Sequence, residues 1–386
     1  MSFDIAVSGL RAAQEYINST SHNIANAQTD GYKSSRTTFA SAYGGAQAMG
    51  VEVMAGRQDL DKTGALRNGG RLDAALGGPG FFVVRGSDNL SAYTRVGSFE
   101  VDSQGFLIDG ASRRVQGFKK LPGGGVGGLG DIQIPPGNIA LQASTKLQFA
   151  RNFDSAWDPK LPAAITSSYS RVYDARGAEH KVTQNFVRTG IDTIEVTYEV
   201  DGAVVAGAKS ILTFDDKNEK LLTSSLPELT LTTPLPGLTK LTLDYADTTL
   251  SKAPNARVSE VRNDADGWAA GSLTSVSLAT NGNVVANYSN GQTQVKAALA
   301  IANFADQNAL RVNGKSSWLE SPESGIARLS TLENNASGMT VGKLESSNVD
   351  TASELTDLIA YTNFYQANAK SLSTQDKLMQ TLMQAT

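Results

Sequence analysis

The sequence predicts a multidomain, mainly β chain of nested domains with an amphipathic α-helix at each end. Residues Phe3 to Ile24, and again Val349 to Met383, carry apolar side chains at helical spacing. The long stretch between them is rich in Gly, Ser, Thr and Asn and holds short alternating segments that read as strands. Helices at both ends with strands between fold most simply as nested layers. The ends then meet each other, or other copies.

In the first helix Phe3, Ala6, Val7, Leu10, Ala13, Ile17 and Ile24 recur at spacings of three, four and seven, with Ser2 or Asp4 as candidate caps and Asn26 to Gly31 as the stop. One such helix is marginal alone and needs a partner for its apolar stripe. The last helix offers one. Leu355, Leu358, Ile359, Tyr365, Ala369, Leu372, Leu378, Met379, Leu382 and Met383 follow a near-heptad pattern, and neither Gly nor Pro occurs after Gly342. Thirty-odd helical residues span roughly 50 Å. Thr362 and Asp376 interrupt the face, so it reads as a packing seam and not a membrane segment. Thr351 or Ser353 with Glu354 marks its start.

Between the helices the predicted order is arm, body, insert, body. Residues 31–70 read as an extended linker, with a short strand over Met49 to Met54. A β-rich body occupies 71–145 and resumes over 271–348. Its strands include Phe81 to Arg85, a hairpin around Asp102 to Gly105, and Val284 to Tyr288 after the Asn281-Gly282 turn; Ala297 to Phe304 is a short helix or a strand. Residues 146–270 form an inserted all-β domain. There Ile194, Val196, Tyr198 and Val200 alternate with Thr193, Glu195, Thr197 and Glu199, the pattern of a half-buried strand. The terminal segments 1–30 and 349–386 complete the division.

Composition excludes several functions. Of 386 residues only 19% are charged, 34 basic against 38 acidic, and no block of like charge supplies a nucleic-acid groove. There is no Cys, which removes disulfides and thiolate metal sites, and His22 and His180 are isolated. Low Cys with abundant Ser, Thr, Asn and Gly fits work outside the cytoplasm. Met1 to Ala13 has neither a basic start nor a continuous apolar run, and no segment approaches a membrane span, so no cleaved signal peptide is expected, and export would need another machine to recognise the chain.

Candidate chemistry is sparse. Asp215 to Glu219 lacks the glycine and spacing of a calcium loop and reads as a solvated turn. Gly123 to Gly130 has no Gly-Lys-Ser/Thr ending and reads as a flexible surface connection. His22 has a capping or packing role, and His180 lies in a polar turn. No constellation of nucleophile and base supports an enzyme, and no cofactor is expected.

Several motifs resemble the axial proteins of the bacterial flagellum, the rod and hook subunits. They are Ser8-Gly-Leu10, then Asn23-Ile24-Ala25-Asn26-Ala27, Thr29 and Gly31-Tyr32-Lys33. Tyr93 to Gly97 with Phe99 and Asp102 to Leu107 continue the likeness. Ser346 to Asp350, Glu354-Leu355, Tyr365-Gln366-Ala367-Asn368-Ala369 and Thr374 to Asp376 close it. Family members usually carry a second asparagine where this chain has His22. The insert, with Gly267 to Gly271 and Tyr288 to Gln292, favours a hook subunit over a distal rod subunit. A secreted β-rich adhesin would leave the paired terminal motifs unaccounted for.

The resemblance implies a helical homopolymer, a curved tube acting as a universal joint between rod and filament. The terminal helices would form its coiled-coil inner layer on assembly, through Val7, Leu10, Ala13, Ile17, Ile24, Leu355, Leu358, Ile359, Tyr365, Leu372, Met379 and Leu382. Implied partners are further copies, the distal rod subunit, the hook cap, the hook–filament junction protein and the flagellar type III export apparatus, with no nucleic acid and no membrane insertion. The implied location is the extracellular hook and basal body of the flagellum.

Overall fold

The computed structural model describes residues 2–44, 47–121, 125–156, 165–215, 220–235, 237–251, 259–334 and 338–385. Of the positions singled out from sequence, Gly123, Gly124, Asp216 to Glu219 and the side chain of Leu382 lie outside the described residues. The chain divides into two compact units. One holds Met1–Pro136, Ser275–Ala286 and Gln294–Thr386; the other holds Gly137–Thr274 and Asn287–Thr293.

In the first unit, helix α1 spans Ser2–Ala25. It stops where the Asn26 amide folds back on the His22 carbonyl (2.9 Å), and Gly31 then turns the chain with φ +62°. Residues 31–70, expected as an extended linker, instead contain a long antiparallel hairpin of strand β1 (Ser35–Gly44) and strand β2 (Gln47–Gln58), with Ser35 opposite Gln58. Bulges between Thr37 and Phe39 and between Ala42 and Tyr43 break its alternation, which hides it from a period-two search.

Helix α2 runs from Thr351 to Ala385, 35 residues or roughly 52 Å. Its cap is Asp350, whose Oδ1 accepts from the Ala352 and Ser353 amides at 3.0 and 3.4 Å. Thr356, Thr362, Thr374 and Thr381 each donate to the carbonyl four residues back (2.7–2.9 Å), so these polar groups are satisfied inside the helix.

The body of this unit is nested as the chain order implies. The returning segments Lys343–Glu345 and Met339–Val341 pair with the outgoing Leu66–Asn68 and Ala74–Leu76. Phe81–Arg85 pairs with Ser91–Thr94, and Val84 lies opposite Val115 on the neighbouring strand Arg114–Lys120. Buried Phe81, Val83, Tyr93, Ala300, Ala302 and Trp318 form the core, with the Phe81 and Trp318 rings 5.4 Å apart. Phe99–Val101 and Leu107–Asp109 make the expected hairpin. Val126–Asp131, expected as part of a loose glycine loop, is a strand along Arg114–Lys120, and residues 293–303 form a strand and not a helix.

The second unit packs two sheets over one core. One is an antiparallel meander of Ile165–Tyr173, Glu179–Arg188, Thr193–Val200, Ala203–Phe214 and Leu221–Ser224. In the other, Lys146–Asp154 lies parallel to Leu238–Asp244 and Thr249–Ser251 and antiparallel to Ser259–Ala265. Ile194, Val196, Tyr198 and Val200 all point inward and are buried among Phe149, Phe153, Phe186 and Leu241, as their alternation requires.

Candidate functional site

The two helices run antiparallel in a register that three contacts fix. Asn23 Nδ2 donates to Glu354 Oε1 (3.1 Å), the rings of Tyr16 and Tyr361 stack with centroids 3.9 Å apart, and Gly9 lies against Asn368. Each step is seven residues on both helices. The seam is a heptad repeat. Its intervening positions on α1 are Ala6, Ala13 and Thr20, all buried; on α2 they are Leu358, Tyr365 and Leu372, all more sheltered than Leu355 or Ile359. A β-carbon at Gly9 would stand 2.7 Å from Asn368 Oδ1, so a small residue there permits the close approach.

The β1–β2 hairpin covers another side of α1. Ser8 Oγ accepts from the Val51 amide (3.1 Å), Tyr16 lies 4.4 Å from the Phe39 ring, and Ser19 donates to the Ser35 carbonyl (2.9 Å).

The structure sorts the expected assembly residues. Ala13, Leu358, Tyr365 and Leu372 belong to the seam. Val7, Leu10, Ile17 and Ile24 are half-buried on a flank about a quarter turn round α1, away from the hairpin. Leu355, Ile359 and Met379 are exposed, at 50%, 65% and 61%. Gly9, Tyr16, Thr20 and Asn23 also lie in the seam; of these the sequence singles out Gly9 and Asn23 only as motif residues, because hydrophobicity gives no weight to a small or polar seam position.

The motif residues near the end of α1 converge with the start of α2. Asn23 Oδ1 accepts from Tyr32 Oη (3.0 Å) and the Ser35 amide (2.9 Å), while its Nδ2 also donates to the Ser35 carbonyl (2.9 Å). Since the Tyr32 hydroxyl proton goes to Asn23, His22 Nδ1 donates to that hydroxyl, 2.8 Å away. Burial and then the Glu354 carboxylate push the Tyr32 phenol up to about 12. Thr29 donates to Asn26 Oδ1 (3.1 Å), and the Gly31 amide to the Glu345 carbonyl (2.8 Å). Ala25, Gln366 and Ala367 are exposed and Asn368 is half-buried in the seam.

Lys33 is fully buried. Its ammonium donates to Glu345 Oε1 (2.7 Å) and the Lys62 carbonyl (2.8 Å), and Glu345 Oε1 also accepts from the Gly64 amide (3.0 Å). Behind them Arg95 Nη1 donates to the Gly78 carbonyl (2.9 Å) and stands 3.9 Å from Glu345 Oε2. Burial lowers the Lys33 ammonium below the ordinary lysine value, opposed by Glu345. Asn348 completes the group: its Oδ1 accepts from the Ser34 amide (2.7 Å), and its Nδ2 donates to the carbonyls of Asp59 (3.0 Å) and Lys62 (3.1 Å).

Elsewhere His180 opens a strand, its Nδ1 2.7 Å from Asp201 and its Nε2 3.7 Å from Asp174, a carboxylate–imidazole staple between two turns. Among the described residues no group of three or more His, Cys, Asp or Glu is placed to hold a metal ion, and no helix is long and apolar enough to cross a membrane.

A paired helical layer built from both terminal segments, with nested β modules between them, is the arrangement expected of an axial, self-assembling subunit. Comparison with known proteins agrees along the chain. Residues 3–33 match the "Flagella basal body rod protein" model and residues 75–149 the "Flagellar hook protein FlgE/F/G D1 domain". Residues 141–314 match the "Flagellar basal body protein FlaE D2 domain" and 340–385 the "Flagellar basal body rod FlgEFG protein C-terminal" model. The chain is 30% identical over 404 aligned positions to flagellar hook protein FlgE of Escherichia coli K12 and to that of Salmonella typhimurium LT2, covering 99% of each chain. It is 30% identical to the Brucella suis hook protein, covering 98% of this chain and 96% of the other. The crystal structure of Helicobacter pylori flagellar hook protein FlgE2 shares the fold, with TM-score 0.54 and 14% identity over 72% of this chain and all of that one. The chain belongs to the flagellar hook protein FlgE family. It is a structural component of the flagellum and not an enzyme.

Proposed function

We propose that this hook subunit polymerises into a curved tube that transmits torque from rod to filament while bending. The observation that carries the reading is the α1–α2 seam with an apolar flank left open beside it. Phe3 is 52% exposed, and Val7, Leu10, Ile17 and Ile24 extend the stripe. Helical spacing sets Leu355 and Ile359 on the same open side of the pair, opposite the hairpin. An uncovered apolar stripe on a self-associating chain is a surface for a second copy, and a heterologous contact of this kind builds helical polymers.

The helical pair, with the β1–β2 hairpin on its other side, is then the inner layer of the polymer. The distal rod subunit, hook cap, hook–filament junction protein and type III export apparatus are the specific partners of this reading, and export proceeds without signal cleavage. The test is a pair of charged substitutions on the flank, Leu10→Asp and Ile359→Asp, in the purified chain. Loss of polymers with an unchanged monomer circular-dichroism spectrum supports the reading. Polymers that form normally in both variants reject it.

A further inference from the structure

Four asparagines in this chain precede a glycine: Asn68, Asn281, Asn290 and Asn313. The dipeptide carries a latent reaction, because a glycine nitrogen has no side chain beside it to shield it. That nitrogen attacks the carbonyl carbon of the asparagine side chain, its proton leaves with the amide as ammonia, and a five-membered succinimide closes. Water then opens the ring to aspartate or isoaspartate. The attack needs a side chain free to swing and a peptide free to turn, so the fold decides which of the four sites reacts.

Three are held on both sides. Asn68 Oδ1 accepts from Lys343 Nζ, and the Gly69 amide is committed to the Gly342 carbonyl (2.9 Å). Asn281 Nδ2 donates to Glu333 Oε1 (3.1 Å) and its Oδ1 accepts from the Asn283 amide (3.3 Å), while the Gly282 amide donates to the Ala279 carbonyl (2.9 Å). Asn290 Nδ2 donates to the Ala269 carbonyl (2.6 Å) and its Oδ1 accepts from the Gln292 amide (3.1 Å), while the Gly291 amide donates to the Tyr288 carbonyl (3.0 Å).

Asn313 differs. It is exposed, and no side-chain hydrogen bond among the described residues holds it. In the hairpin of Arg311–Gly314 with Ser317–Leu319, Val312 lies opposite Trp318 and Gly314 opposite Ser317, which leaves Asn313 as the extra residue of a bulge. Isoaspartate lengthens the backbone by one carbon, and at an unpaired residue that lengthening breaks no ladder pair. We propose that Asn313 is a spontaneous modification site that deamidates in the folded chain ahead of the other three. The product carboxylate opens on a cleft of about 450 Å³ that Arg113 and Lys315 also line, and their charges oppose its own. None of this rests on the hook reading.

The full-length protein, incubated in warm, mildly alkaline buffer with and without denaturant, is mapped peptide by peptide by mass spectrometry. In the native chain aspartate and isoaspartate should accumulate at Asn313 roughly tenfold faster than at the other sites, which must first break one or two hydrogen bonds. In denaturant the four sites react at similar rates. Asn313→Gln, whose longer side chain does not close the five-membered ring, abolishes the product, and circular dichroism checks that this variant is folded. Native modification of Asn68, Asn281 or Asn290 that keeps pace with Asn313, or an Asn313 that stays intact, overturns the proposal. So does the native order of rates persisting in denaturant, since local sequence and not the fold would then set it.

Discussion

Tyr16 and Tyr361 stack ring on ring, 3.9 Å between centroids and 9° from parallel, seven residues from the Asn23–Glu354 contact and seven from the Gly9–Asn368 contact. This pair sets the phase of the heptad that brings the two ends of the chain together. Its energetic weight follows from an aromatic pair contributing about 0.5–1.5 kcal/mol beyond area burial.

Tyr361→Ala therefore loosens the helix pair while leaving the distant sandwich intact. Amide exchange monitored by mass spectrometry should accelerate in residues 6–23 and 354–372 and stay unchanged in Thr193–Val200. Equal acceleration in both regions would show that the seam is not an independent structural element.

Gly9 tests the closeness of the helices. Gly9→Ala meets only the amide end of Asn368, which turns aside, and gains helix propensity; stability should change little. Gly9→Leu forces the helices apart and should cost roughly 1–3 kcal/mol in denaturant unfolding, as overpacking does. Gly9→Leu as stable as the parent would place the helices farther apart than the seam requires.

Lys33→Met removes the partner of a buried carboxylate. The expected cost is about 3–5 kcal/mol in the unit that contains α1, with the sandwich transition unaffected. Differential scanning calorimetry separates the two transitions.

The sandwich has its own pH signature. Asp244 is held below the ordinary aspartate value of 3.8, first by its bond to Lys146 (2.7 Å) and then by the Ala246 amide. A depressed carboxylate contributes stability above its unfolded value, and that contribution disappears as pH falls through the lower folded value. The melting temperature of this unit should drop below about pH 4, and Asp244→Asn should flatten part of that drop. Both partners are part-exposed, so the effect is small and weakens with salt.

How far the sequence reveals this structure depends on the signal each element carries. The terminal helices were legible because Leu10, Ile17, Leu358 and Leu372 repeat over many turns, and the Ile194–Val200 strand because its two faces differ. The seam phase was legible only in part. Ala6 and Ala13 fall in the apolar stripe, but Gly9, Thr20 and Asn23, which allow close approach and bonding, carry little hydropathy. The β1–β2 hairpin was hidden by bulges and by faces that are half-buried at best. Lys33 stood out only as a motif letter. Its role depends on Glu345, more than three hundred positions away, and no local pattern couples the two. The α2 cap is Asp350 and neither Thr351 nor Ser353, since its carboxylate accepts from the Ala352 and Ser353 amides.

Electron microscopy of polymers grown from the purified full-length chain tests the central claim most directly. The account predicts curved tubes whose formation depends on Leu10 and Ile359. Straight rods, or a chain that remains monomeric at every concentration, would contradict it.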